Sequence, residues 1–309
     1  MPTPDLAILY EHPTWFEPLF SVLDRRGIGY AKLKLAGHGF DPGGSDPPAP
    51  VILSRLAMSS FLRADDHPIF YAESLLAHWA ARGARVLNGA GVIAVDRSKA
   101  RQLSLIAGLG LGVPRTEVVH RARDLPEAAQ AIGFPLVVKA NIGGSGVGIA
   151  RYHSAGELAQ SIADRSVPAS VDRVLLVQDY VPARGGLVTR LETLGGKFLY
   201  AIDIESPADS FDLCPADACM IQPGRAAIRM TRADPAAELI AAAERIAAAA
   251  GLDVGGIEVM IDDRDGRPRF YDINALSNFV AQPLEVLGWD PHEQLVDHLE
   301  AAIAAARST

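Results

Sequence analysis

Apolar and polar positions along the chain fall into two kinds of run. Short apolar stretches at 6–10, 30–35, 51–53 and 85–88 alternate with stretches of helical period at 18–26 and 70–82, which Gly27 and Gly83 terminate. A Gly/Pro/Asp-rich loop, 37–50, separates the second and third apolar runs. Strand–helix alternation of this kind predicts a parallel sheet, so residues 1–95 are expected to form a small α/β domain.

From Asp96 the pattern changes. Asp96 is a candidate N-cap for a helix over 97–107. Strands are expected at 115–119, 135–139, 148–152 and 174–181, with a helix at 154–164. Strands at 189–192 and 197–204 form a further pair. A helix over 235–250 has Asp234 as its cap, Pro235 at its first position and Gly251 at its end. A last amphipathic helix is expected over 292–305. No internal repeat and no low-complexity linker occurs, and the expected divisions are 1–95, 96–182 and 183–309.

With 309 residues, 49% of them hydrophobic, the chain can fill the cores of two or three such units. A net charge of −8 argues against a nucleic-acid or anionic-membrane surface. The longest apolar run, Ala-rich from 236 to 250, is broken by Glu238, Glu244 and Arg245, so no membrane span is expected. Residues 1–5 lead directly into the first strand, so no signal peptide is expected and the reading is cytoplasmic. Cys214 and Cys219 are too few for a structural zinc site and read as reduced thiols.

Three local patterns carry chemistry. The first is a hairpin of 256–262 with 269–274, joined by a turn at 263–267. A three-residue loop centred on Asp265, with Gly266 left-handed, would set Glu258 opposite Asp272. Alternation then puts Asn274 on the face of Asp272. Facing carboxylates repel, and hard oxygen donors suit Mg²⁺ or Mn²⁺. From the hairpin alone, a solvated polar face is the simpler reading. The second pattern is an apolar strand ending in Lys139, followed by Gly143, Gly144, Ser145, Gly146 and Gly148. Such a loop can turn backbone N–H groups toward phosphate oxygens, or it can be a flexible hairpin with a lysine at its rim. It lacks the Gly-Lys-Ser/Thr ending of a P-loop. The third is the apolar strand 174–181, whose polar end is Gln178-Asp179-Tyr180-Val181.

In this order the pieces resemble the ATP-grasp superfamily, and within it the RimK-type glutamate ligases. The resemblance covers 96 to the end; residues 1–95 match the pre-ATP-grasp domain only in general shape. It implies an α/β (α+β) ATP-grasp fold with an N-terminal α/β pre-ATP-grasp domain. The family's two phosphate lysines map to Lys99 and Lys139, and its glycine loop to Gly143, Gly144, Ser145 and Gly146. Its adenine hinge maps to Gln178, Asp179, Tyr180 and Val181, its strand arginine to Arg190, and its metal ligands to Glu258, Asp272 and Asn274. There are departures. Asp272 stands for the usual glutamate, and Val188 stands where an aspartate usually precedes the arginine. The segment that is basic in glutamate ligases here carries Asp209, Asp212 and Asp217, which puts glutamate as the incoming amine in doubt.

The resemblance implies an ATP-dependent carboxylate–amine ligase acting through an acylphosphate on a small-molecule or peptide carboxylate and an amine. ATP and two Mg²⁺ (or Mn²⁺) ions would be its cofactors, Arg190 and Lys139 its catalytic residues, and dimers or tetramers, common in that family, are among the expectations. Arg55, Arg63 and Asp212 are candidate substrate residues, with surface arginines flanking a loop as the plain alternative for the first two. A small-molecule kinase on the same fold, and an ATP sensor without turnover, are the rival readings.

Overall fold

The computed structural model describes residues 4–12, 14–62, 67–144, 146–205 and 229–308. The expectations on Arg63, Ser145, Asp209, Asp212, Asp217, Cys214 and Cys219 lie outside these residues.

Three sheets organise the described chain. Strands β1 (Leu6–Tyr10), β2 (Tyr30–Lys34), β3 (Val51–Arg55) and β4 (Arg85–Leu87) form a parallel sheet of order β2-β1-β3-β4. Its central strands β1 and β3 are buried at every position, as strands covered on both faces must be. Helix α1 (Glu17–Arg25) covers one face through Leu19, Phe20 and Leu23, and α2 (Pro68–Ala81) the other through Leu75, Leu76 and Trp79.

Here the sequence reading needs two corrections. Asp96 does not cap a helix: it ends α3 (Ala90–Asp96), which was not anticipated, and it is buried. The cap belongs to Ser98, whose side chain accepts from Arg101 N and starts α4 (Lys99–Gly108). The expected boundary between residues 95 and 96 therefore falls in the last turn of α3.

The second sheet is antiparallel and contains β5 (Thr116–Val119), β6 (Leu136–Ala140), β7 (Ile149–Tyr152) and β8 (Leu175–Asp179) in the order β5-β8-β6-β7. It packs on α5 (Leu125–Ile132), another element absent from the sequence reading, and on α6 (Ala155–Ala163).

The third sheet has the order β11-β10-β9-β12-β13. Its strands are β9 (Leu187–Leu194), β10 (Lys197–Glu205), β11 (Met230–Ala233), β12 (Val254–Ile261) and β13 (Pro268–Asn274). One face packs on α4 and on α7 (Ala237–Ala250). That helix begins two residues later than expected, with Ala236 at its N-cap and no side-chain cap, and Gly251 ends it in the left-handed conformation. The opposite face, through Tyr200, Ile202 and Ile204, shares a core with β1, α1 and the C-terminal helix α9 (Pro291–Arg307). A short helix, α8 (Pro283–Val286), precedes α9. Among the described residues no helix is long and apolar enough to cross a membrane.

Asn88 joins the first sheet to the third. Its amide donates to Val254 O and Ala275 O at 2.6 and 2.7 Å, and its Oδ1 accepts from Asp253 N at 2.9 Å.

Candidate functional site

The site grows from the β12–β13 hairpin. Asp262 N donates to Arg267 O at 2.9 Å, so the loop holds the four residues 263–266 instead of the expected three. Gly266 is left-handed there, with φ 73°. Val259 pairs with Phe270, the ladder then shifts by one residue at Tyr271, and Glu258 faces Asp272. The expected pairing thus arises by another route. The four-residue loop alone would set Glu258 against Tyr271, and the bulge restores Asp272 to the face of Glu258.

Asn274 lies on the same face and donates from Nδ2 to Glu258 Oε1 at 3.3 Å. On the other side of β12, strand β9 pairs Arg190 with Glu258 and Glu192 with Gly256. Arg190 donates from Nη1 to Glu258 Oε1 at 3.1 Å and from Nε to Glu192 Oε1 at 2.6 Å. All three side chains are buried. The guanidinium crosses directly over Gly256, where a Cβ would stand 2.5 Å from Nε.

Two lysines close the opposite side. Lys99 starts α4 and donates from Nζ to Asp272 Oδ1 at 2.5 Å. Lys139, on β6, holds its Nζ 5.3 Å from the centroid of the Tyr271 ring. Burial, reinforced by the Lys99 charge, pushes the Lys139 ammonium down to about 8. Burial pushes the Asp96 carboxyl up to about 7, with Asp272 adding to it, and the same two causes raise Glu258. Burial works against the Lys99 charge, but Asp272, with Glu258 and Asp96, more than offsets it and leaves the ammonium above its ordinary value.

All of these but Glu192 and Gly256 line one cavity of about 140 Å³, together with Gly143, Gly144 and Gly146 of the loop after β6. Gly144 is required by a close approach: a Cβ there would lie 2.8 Å from Ser59 Cβ, so the glycine loop rests on the first unit.

The structure therefore brings together Lys99, Lys139, Gly143, Gly144, Gly146, Arg190, Glu258, Asp272 and Asn274. Two carboxylates and an amide could hold a divalent cation. Among the described residues no cluster of three His, Cys, Asp or Glu donors forms, because the third oxygen is an amide.

Other expected residues stand apart from this cavity. Gln178 is buried and donates to Thr116 Oγ1 at 2.9 Å. Asp179 is held by Arg264 at 2.6 Å, and Tyr180 lies under the Arg151 guanidinium at 4.9 Å. Val181 is buried. Arg55 is not brought to the cavity. It is 1% exposed, donates to Ser277 O and lies over the Phe16 ring, so it ties β3 to the segment after β13. Burial lowers its pKa to about 10.

Sequence reasoning missed Trp15, Ser59, Asp96, Tyr271, Glu192 and Asn278. Glu192 was within reach, since an Arg-x-Glu spacing on a strand puts both side chains on one face. Trp15, Ser59 and Asn278 come from loops without any period, and only tertiary packing brings them in.

A family model described as the RimK-like ATP-grasp domain matches residues 96–281. A probable alpha-L-glutamate ligase of Pseudomonas savastanoi pv. phaseolicola is 29% identical over 143 residues, 46% of this chain and 46% of that protein. The chain thus spans about half the length of that relative. A probable alpha-L-glutamate ligase of Pseudomonas entomophila is 25% identical over 233 residues, 75% of this chain and 72% of its own. The ATP-grasp ligase PsnB, solved with its minimal precursor, has the same fold, with a TM-score of 0.69 at 18% identity over 97% of this chain and 99% of that one. Because the family model spans more than half of the residues, the chain belongs to the RimK-like ATP-grasp family.

Proposed function

We infer that the protein is an ATP-dependent carboxylate–amine ligase. The observation that carries this reading is the convergence of Lys99, Lys139 and Arg190 on one cavity that also holds Glu258, Asp272 and Asn274. In this reading the three sheets act as the pre-ATP-grasp domain, the lid unit and the metal-binding unit, and the reaction takes place in the cytoplasm.

A substrate carboxylate oxygen attacks the γ-phosphorus of ATP, giving an acylphosphate and ADP. The amine nitrogen then attacks the acyl carbon, phosphate leaves, and the nitrogen loses a proton as the amide forms. Lys99 and Lys139 hold phosphate oxygens, and Arg190 faces the charge that develops on the acyl oxygen. Gln178 to Val181 are assigned to the adenine end. The glycine loop, seated on Ser59, excludes water that would hydrolyse the acylphosphate.

The residues present suit a divalent cation. Glu258 and Asp272 face each other with the Asn274 amide beside them, and Lys99 and Arg190 leave further oxygen positions on the pair for a hard cation. Glu258, Asp272 and Asn274 would hold Mg²⁺ or Mn²⁺, two ions in this reading, and the metal would supply charge neutralisation on the phosphates.

The test is a screen of acid–amine pairs with ATP and Mg²⁺, reading ADP, phosphate and product mass. ADP and phosphate should appear in equal amounts, with an amide, only when both partners are present. A stable phosphorylated product would make the protein a kinase, and nucleotide binding without turnover would make it a sensor.

A further inference from the structure

A second cavity, of about 780 Å³, adjoins the first, and Trp15 and Asn278 line both. Pro18, Phe279, Val280, Pro283 and Leu284 give it a mainly apolar wall, beside the polar Gln282 and His292. Leu284 stands at its mouth, 69% exposed. Among the described residues no lysine or arginine lines this cavity, and its carboxylates are Glu285 and Asp290. Asp290 already accepts from His292 N at 3.0 Å and pairs with His292 Nδ1 at 2.7 Å.

The backbone of the wall is a second, independent observation. Phe279 and Gln282 are left-handed, with φ 58° and 53°. For a bulky aromatic residue this conformation is an outlier, and such strain gathers where loops hold ligands. It is fixed in place here: Phe279 N donates to Ser277 Oγ at 3.1 Å and Val280 N to Tyr200 Oη at 2.9 Å.

We propose that this cavity receives the side chain of one coupling partner and selects an uncharged, apolar side chain over a carboxylate. The proposal rests on the ligase reading and names its substrate class. A glutamate side chain entering the cavity would give up hydration beside Glu285 and Asp290 and find no lysine or arginine among the lining residues. An aliphatic or aromatic side chain would lose no hydration of charge and would cover Leu284. The selectivity therefore departs from that named for the glutamate-ligase relatives.

Leucine, phenylalanine and glutamate, each free and in a dipeptide with glycine, are the probes. Their binding to protein loaded with Mg²⁺ and nucleotide is measured by calorimetry, and ADP release with ATP gives kcat/KM. Leucine or phenylalanine should exceed glutamate by roughly tenfold or more in both readouts. The free and dipeptide arms tell a free amino acid from a peptide. Ala281→Trp, which fills the cavity from a partly exposed position, should remove that preference with nucleotide affinity unchanged, and Leu284→Lys should improve glutamate binding. Glutamate binding as well as leucine, no binding of any apolar probe, or an Ala281→Trp variant with the preference intact would each overturn the proposal. If the binding preference and its loss in Ala281→Trp both hold while no pair yields ADP and amide, the ligase reading falls and the pocket's selectivity stands.

Discussion

At the scale of single residues, Lys139 has a defined electrostatic consequence. Burial and the neighbouring Lys99 bring its pKa down to about 8. Below that pH the ammonium is charged and suited to phosphate; above it, binding a nucleotide requires the protein to take up a proton. Affinity for ATP should accordingly fall by up to about tenfold per pH unit above 8, until the pKa of the bound state is reached. Lys139→Arg keeps its charge throughout and should give a flat profile, and Lys139→Ala should bind more weakly than either at pH 7. Calorimetric titrations from pH 7 to 9.5 in buffers of different ionisation enthalpy measure both the affinity and the proton uptake. A wild-type profile as flat as that of Lys139→Arg would place Lys139 away from the phosphates.

At the scale of elements, strands β9 and β12 hold the arginine in place. Gly256 leaves room for the Arg190 guanidinium, and a Cβ there would meet Nε at 2.5 Å. In Gly256→Ala the side chain, not the backbone, has to move. Because the displaced guanidinium leaves Glu192 and Glu258 buried without it, unfolding temperature should fall by roughly 10 °C, and turnover by about 10²-fold. Thermal melts beside single-turnover rates check this. Much of the element pattern was legible in the sequence, because burial imposes period 2 on strands and helices have cap and stop residues. The facing of Glu258 and Asp272 was legible too. The bulge was not, since Tyr271 has no local signature that separates it from a regular strand position. Helix α3 escaped because its seven residues are too short to show a period. Arg55 misled because an arginine beside a loop reads as exposed, and only packing on Phe16 and Ser277 shows otherwise.

At the scale of the whole molecule, Asn88 links the first and third sheets. It satisfies backbone groups of Asp253, Val254 and Ala275 while itself adopting φ 50°. Asn88→Ala would leave those buried groups without partners and strain the left-handed backbone, costing about 3 kcal/mol. Chemical denaturation should show the loss, with an unchanged slope if the folded state is otherwise intact. The same two sheets share one apolar core, in which Leu6, Ile8 and Leu23 meet Ile202, Ile204 and Leu299. The second sheet keeps a core of its own, to which Ile142 adds a contact with the first sheet's cluster, while Leu109, Leu111 and Val113, leading into β5, pack against the third sheet's cluster. Its other ties include polar ones, Arg264 to Asp179 and Phe270 N to Gly112 O. Swinging this sheet outward exchanges those bonds for bonds to water, at little net cost for each. Parting the other two would wet their common interior. Among the described residues the second sheet is thus the least tightly joined of the three, and it is the sheet that carries Lys139.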